Sequence, residues 1–489
     1  MAMCVRCIDL NVLNMRTRMP FKYGITSLTA VPHVFVRITA EINGREQVGV
    51  ASESLVPKWF TKDPGKSIEQ DIQEMCKVVR SAARFARSEP NANTIFDWWQ
   101  GVYAKQAAWG SANGHPSLLW AFGVTLVERA MLDAFCRAQG INFAGAVRNN
   151  LLGVRLGDIY EELQDFVPAD LLPPRPSRRL TVRHTVGLAD PITDGDIASH
   201  DRLSDGLPQT LDDCIRRSGL THFKIKLSGD LQFDIERLKA VAHVVETHCA
   251  DFAFTLDGNE GLPDITTFRD HWESLHSCDA LARFLDHLLF VEQPVHRDAA
   301  LAPQTTAALH AWKDRPLIII DESDGALCSC RDALQGGYAG TSHKNCKGVF
   351  KGIANACLVA HRTRQRPKVP CVISAEDLVN VGPVALLQDL AVVATLGIEH
   401  AERNGHHYFY GLSMYRSAIR HQTTESHPDL YHLDSCGVPV LNVRGGSIEL
   451  GSVVDSPFGV AIQLDTRQFV SLADWSFATL GLSQANQAP

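Results

Sequence analysis

The chain has 489 residues, more than one small domain needs, and its 45% hydrophobic and 21% charged residues are ordinary for a soluble globular protein. A net charge of −8 argues against nucleic acid or an anionic membrane surface as the main partner. No apolar run reaches the roughly 18 residues of a membrane-spanning helix.

Residues 1–9 lack the pattern of a secretory signal, and thirteen Cys are scattered without a framework. Both features predict a cytoplasmic protein with free, mostly buried thiols. Cys4-x-x-Cys7 has the spacing of half a zinc site, but no second pair follows it, so it is read as two free thiols. Residues 1–150 read as an α+β unit. Residues 31–39 (VPHVFVRIT) and 41–50 have strand composition, with a hairpin signal at Asn43-Gly44. Residues 66–88 and 118–139 carry apolar residues at helical spacing, and the second helix is expected to end at Gly140.

From about Arg179 the pattern changes. Short β-rich runs recur at 180–186, 222–227, 252–256, 288–291, 317–320, 339–343, 369–374 and 397–400. Helical stretches such as 232–247 and 384–395 separate most of them. Eight strands alternating with helices predict a closed parallel barrel over residues 151–414. Residues 189–211, rich in Asp and Gly, are expected to form an inserted loop. The tail, 415–489, is irregular, with short strands expected near 438–443 and 460–464 and a low-complexity end at 483–489.

Most of the runs end in charge. Lys224 and Lys226 close the second, Asp257 the third, Glu292 the fourth, Asp321-Glu322 the fifth and Lys344 the sixth; Glu376-Asp377 and Glu402 follow the last two. From Lys226 on, the intervals run from 23 to 35 residues, about one βα unit each. In a barrel, such strand ends converge on one mouth. Asp257, Glu292 and Asp321 would then be three converging carboxylates, and an oxygen-only set suits Mg2+, with Mn2+ as a substitute. Lys224 and Lys226 share one face of a strand. Side by side and desolvated, each is expected to depress the other's pKa and leave one usable as a base. Lys344 would approach from the opposite side. Lys347, three residues on, competes for that role. His400, His406 and His407 cluster near the last strand end, where surface or core histidines are the plainer reading. A zinc hydrolase would need His-x-His on the first strand, and Arg183-His184-Thr185 offers one His.

The order Lys-x-Lys, Asp257 in LDGNEG, Glu292 in VEQP, Asp321 in IDES and Lys344 in SHKNCKG resembles the mandelate racemase/muconate lactonizing enzyme group of the enolase superfamily. The resemblance implies a modified (β/α)7β barrel under an α+β capping domain that the C-terminal tail completes. It implies Mg2+ on Asp257, Glu292 and Asp321, Lys226 and Lys344 as acid/base groups on opposite faces, Lys224 as support for Lys226 and a contact to the substrate carboxylate, and Glu402 as an acidic group at the eighth strand. Asn259, Glu376 and Asp377 would contact substrate. Two cap loops, 19–26 (MPFKYGIT) and 53–64 (ESLVPKWFTKDP), would form a mobile lid, with Lys22, Tyr23, Lys58, Trp59 and Lys62 able to grip a polar acid. The chemistry implied is abstraction of the proton next to a carboxylate through an enediolate. Sugar-acid dehydration and racemisation or epimerisation rank together. The alternatives are a muconate-type cycloisomerase and a non-catalytic metal-binding barrel. A small carboxylate is the expected partner, and a homo-oligomer the default assembly.

Overall fold

The structure, a computed structural model, describes residues 3–23, 25–89 and 92–482. The low-complexity end at 483–489 and Gly24 of the first cap loop lie outside these residues. The chain opens with three antiparallel strands, β1 (Met3–Tyr23), β2 (Thr26–Ile42) and β3 (Arg45–Ser54). The β2–β3 turn falls at Asn43-Gly44, with φ of +53° and +77°, the left-handed values a tight hairpin requires. The expected strand at 41–50 therefore straddles a turn. β1 was not expected as a strand, and its distal end, Phe21 to Tyr23, pairs with Leu28 to Thr26 as a hairpin where a loop was predicted.

Three helices follow: α1 (Ile68–Ser88) and α3 (Ser117–Gln139) pack on this sheet, and α2 (Ile95–Ala112) packs against both. Ser67 caps α1 in a full capping box with Gln70. α3 is buried along almost its whole length and stops at Gly140 in the left-handed conformation, as its sequence predicts.

The eight expected barrel strands all form. They are β4 (Arg179–Val186), β5 (His222–Lys226), β6 (Ala253–Asp257), β7 (Leu288–Glu292), β8 (Ile318–Ile320), β9 (Gly340–His343), β10 (Val372–Ala375) and β11 (His400–Glu402). All neighbours are parallel, and β11 pairs back onto β4 to close the barrel. The last strand starts three residues later than expected, because Gly397 (φ +75°) is the left-handed cap of the preceding helix, Ala385–Leu396.

The tail contributes β12 (Tyr431–Leu433) and β13 (Pro439–Leu441) as a small hairpin. β14 (Ser447–Glu449) runs antiparallel to β4, and β15 (Val470–Ser471) pairs with β1 and so adds to the cap sheet. No strand forms at 460–464. The 189–211 insertion is irregular apart from one 3-10 turn at Asp194–Asp196. Its Asp205 forms a bidentate pair with Arg18 of β1 (2.6 and 2.8 Å), which ties the insertion to the cap. Among the described residues no helix is long and apolar enough to cross a membrane.

Candidate active site

Strand alternation sorts the barrel residues. On β4, Arg183 and Thr185 point inward while His184 points out; on β5, Lys224 and Lys226 point inward and Phe223 and Ile225 pack outward. The C-terminal strand ends then assemble a buried cluster of acids and lysines. Lys224 Nζ lies 2.8 Å from Asp257 Oδ2, 2.8 Å from Glu292 Oε2, 2.5 Å from Glu376 Oε2 and 3.3 Å from Glu402 Oε2. Lys226 Nζ donates to Asp257 Oδ2 (2.6 Å) and Asn259 Oδ1 (3.0 Å). Across the cluster, Lys344 Nζ donates to Asp321 Oδ2 (2.7 Å) and Glu376 Oε2 (2.7 Å) and sits 5.3 Å over the Trp59 ring.

Lys344 and Lys347 are placed differently. Lys347 Nζ is spent on Asp321 Oδ1 (2.6 Å) and the backbone carbonyls of Asp321 and Ser342, whereas Lys344 lines the cleft. Asn259, Tyr23, Trp59, Glu376, Asp377, Glu402, Lys58 and Lys62 line it too. Lys22 does not. In the hairpin Phe21 and Tyr23 turn inward, so Lys22 between them is exposed.

The cluster corrects the electrostatic expectation for Lys224. Burial alone disfavours its charge, but Asp257, Glu292, Glu376 and Glu402 outweigh burial and hold the ammonium well above the ordinary lysine value. The same balance, with Asp321, Glu376 and Glu292, raises Lys344. Asp257 and Glu376 are pushed up by burial and pulled further down by their lysines, to below the ordinary carboxylate range.

Glu292 behaves differently. It is fully buried, neither carboxylate oxygen has an aligned hydrogen bond among the described residues, and burial with Glu376 nearby drives its pKa well up. Lys224 Nζ stands 2.8 Å from one of its oxygens without an aligned hydrogen bond, so both oxygens remain available as donors to a divalent cation. Oxygens of Glu292, Asp321 and Glu376 lie within 4.8 Å of one another, an all-oxygen donor set. Asp257, expected as a ligand, faces the same cluster with its oxygens engaged by the two β5 lysines and the Asn259 N–H (2.8 Å). The residues present therefore fit a divalent cation.

Sequence reasoning missed Arg183. It is fully buried inside the barrel and donates to Glu376 Oε1 (3.1 Å), Ser374 and the Ala375 carbonyl. The available signal was a cation at an inward position between Thr181 and Thr185. His400 faces Arg183 Nη1 (2.9 Å) inside the barrel, so it does not join His406 and His407. Glu322 also lines the cleft; burial, then Asp321 and Glu260, push its carboxyl up to about 8.

The cap loop after β3 closes the mouth and is pinned there. Arg297 Nη1 and Nη2 donate to the carbonyls of Phe60 (3.0 Å) and Trp59 (2.9 Å), and the same guanidinium forks onto Glu260. Lys62 reaches the Asn259 carbonyl, and Lys58 Nζ staples the loop through the Asp63 carbonyl (2.8 Å). The cavity beneath it measures about 40 Å3, room for a few waters. Arg297→Ala is expected to speed tryptic cleavage at Lys58 or Lys62 about tenfold or more, since a charge-assisted hydrogen bond contributes roughly 1.5–3 kcal/mol. Equal cleavage rates in variant and parent would show that the loop is held elsewhere.

No family model and no curated protein matches the sequence. Solved structures do match the fold. An N-succinyl Arg/Lys racemase from Bacillus cereus is 16% identical, with 96% of this chain and 98% of that one covered and a TM-score of 0.58. A muconate lactonizing enzyme from Pseudomonas fluorescens, complexed with muconolactone, is 14% identical over 96% and 98% (TM-score 0.58). An enolase from Bradyrhizobium, complexed with magnesium and mandelic acid, is 14% identical over 94% and 96% (TM-score 0.55). The chain has the fold of the mandelate racemase/muconate lactonizing enzyme group of the enolase superfamily, capping domain and barrel together.

Proposed function

We propose that the chain is an enzyme of this superfamily that removes and returns the proton next to a substrate carboxylate, with racemisation or epimerisation as the outcome. The observation that carries this reading is the pair Lys226 and Lys344. One is anchored on Asp257 and the other on Asp321, so the two ammonium groups flank the cleft from opposite sides. With one lysine as the free amine and the other as ammonium, a proton can leave to the amine and return from the ammonium on the opposite face. A racemase and a muconate lactonizing enzyme share this fold.

A divalent cation, Mg2+ with Mn2+ as a substitute, is proposed on Glu292, Asp321 and Asp257. When bound, it supplies a Lewis acid where the second negative charge of the deprotonated substrate develops. Asp257 is preferred to Glu376 as the third ligand for a charge reason. Glu376 forms the one ion pair of the fully buried Arg183 among the described residues, and drawing it away would orphan that cation. Asp257→Asn and Asp321→Asn are accordingly expected to weaken Mn2+ binding about tenfold or more, while Glu376→Gln spares it. Mn2+ titration by electron paramagnetic resonance reads this directly. An intact affinity in Asp257→Asn beside a lost one in Glu376→Gln would reassign the ligand.

The chain's own residues perform the remaining work. Lys224 sits centrally and positions Glu376 and Glu402; Asn259 orients Lys226; Arg183 fixes Glu376; Tyr23 and Trp59 wall the cavity against water.

A specific observation favours a second reading. Glu322 is a carboxyl kept neutral near pH 7 inside the cleft, a proton donor suited to a departing hydroxyl in sugar-acid dehydration. The deciding experiment is proton exchange in D2O with Mg2+ and a pool of sugar acids, amino acids and dipeptides. Deuterium at the α-carbon with inversion supports racemisation or epimerisation, and loss of water supports dehydration. No exchange on any member, with metal bound, would count against both and favour a non-catalytic barrel.

A further inference from the structure

A second cluster of donors lies outside the barrel wall, on the opposite face of β4 from the carboxylates. Because Arg183 and Thr185 point into the barrel, His184 points out. There it meets Cys214, on the helix Leu211–Ser218, and His407, in the short helix Gly405–Tyr408. All three are at most 5% exposed, and one donor atom of each lies within 4.8 Å of the other two. Cys214 Sγ and His407 Nδ1 are 3.7 Å apart, and the His184 and His407 rings meet edge to face at 4.9 Å. Nδ1 of His184 is buried with no hydrogen-bond partner among the described residues. A thiol hydrogen bond accounts for the Cys214–His407 contact but leaves that nitrogen unexplained.

We propose that His184, Cys214 and His407 form a zinc site, distinct from the carboxylate centre. Sulfur at about 2.3 Å and nitrogen at about 2.0–2.1 Å on a tetrahedral zinc stand roughly 3.5 Å apart, close to the observed contact. The two centres sort cations by donor type. Oxygens alone in the barrel suit Mg2+, while a thiolate with two imidazoles suits Zn2+. Zinc binding displaces the Cys214 proton to solvent, and a thiolate on Zn2+ leaves one net positive charge. The two arginines that line the same cavity, Arg18 and Arg217, are already matched by Asp205 and Asp213. The three donors line a cavity of about 230 Å3 together with His406 and His432, which leaves room for a fourth ligand from a side chain or water.

The placement suggests what the ion does. His184 is on the first barrel strand, Cys214 follows the 189–211 insertion and His407 follows the eighth strand. One ion would join all three where the barrel closes. The neighbouring residue Thr185 donates to Glu402 in the active site, so a clip here steadies one wall of the cleft.

The test uses the full chain with excess Mg2+ present to fill the carboxylate centre. Metal analysis of protein purified without chelator is expected to find about one zinc per chain. Cobalt taken up in its place is expected to give a thiolate-to-cobalt charge-transfer band in the near ultraviolet, a signature the carboxylate centre cannot produce. Cys214→Ser should abolish the band and lose the zinc, His407→Gln should weaken both, and Glu292→Gln should change neither. Absence of zinc together with absence of the band in the parent protein would overturn the proposal, as would zinc fully retained in both Cys214→Ser and His407→Gln. If Cys214→Ser does not fold, the parent cobalt spectrum decides.

Discussion

Lys226→Met and Lys344→Met are each expected to slow turnover by about 1,000-fold, the middle of the range for losing a positioned acid or base. The two losses should differ in hand. With Lys226 gone, the α-proton of one stereoisomer still exchanges with D2O through Lys344; with Lys344 gone, only the other stereoisomer exchanges. The double variant should exchange neither. The fold should survive these changes because no carboxylate is orphaned. Asp257 keeps Lys224, Asp321 keeps Lys347, and Glu376 keeps Lys224 and Arg183. Mn2+ affinity should stay within a few-fold of the parent for the same reason. Chiral analysis of deuterated substrate, run beside metal titration, makes the check. Full turnover in both variants, or loss of exchange from the same stereoisomer in both, would remove the two lysines from the roles assigned to them.

This arrangement was legible because it is periodic. A charged residue once per βα unit is a one-dimensional trace of a barrel mouth, and Lys224-x-Lys226 declares its own face through strand alternation. The signals that failed were those that depend on partners far away in sequence. β1 carries an alternating stretch, Ile8-Asp9-Leu10-Asn11-Val12, but a register shift between Val5 and Cys7 breaks the pattern just before it. α2 was hidden by Gly101 and Gly110. The second of these is small because Trp120 of α3 packs where a Cβ would stand, within 2.5 Å. The charge on Lys224 was misjudged for a similar reason. Its sequence neighbour, Lys226, argued for a lowered pKa, whereas the four carboxylates that raise it come from four other strand ends, 33 to 178 residues away. The His184, Cys214 and His407 grouping is of the same kind, three isolated residues that only the barrel closure brings together.

The largest effect on stability is expected at the junction of β3 and α3, and it should depend on pH. Glu53 of β3 and Arg129 of α3 are both fully buried, with an ion-pair distance of 3.1 Å. Burial drives the Glu53 carboxyl up to about 7, even though Arg129 pulls it down; Asp389 adds to the rise. His33 faces the same guanidinium, and burial keeps it neutral, its pKa lowered to about 3. In an acid whose folded pKa is raised, the stabilising contribution is complete below the unfolded value, about 4.3, and is lost as pH climbs through the folded value. Removing Arg129 takes away the group that lowers Glu53 and so extends the loss to higher pH. Arg129→Met is therefore expected to cost roughly 3–5 kcal/mol at pH 8, where an unpaired charge must be buried or a proton taken up. At pH 5 Glu53 is already neutral in the fold. The cost there should fall to about 1–2 kcal/mol, mainly the hydrogen bonds from Arg129 to the Ser52 and Thr125 carbonyls. Denaturant unfolding of parent and variant at both pH values measures the difference, and groups common to both cancel. Adding Glu53→Gln should recover most of the loss at pH 8 and little at pH 5. A penalty that is equal at the two pH values, or that Glu53→Gln leaves untouched, would show that Arg129 acts through packing and its carbonyl bonds alone.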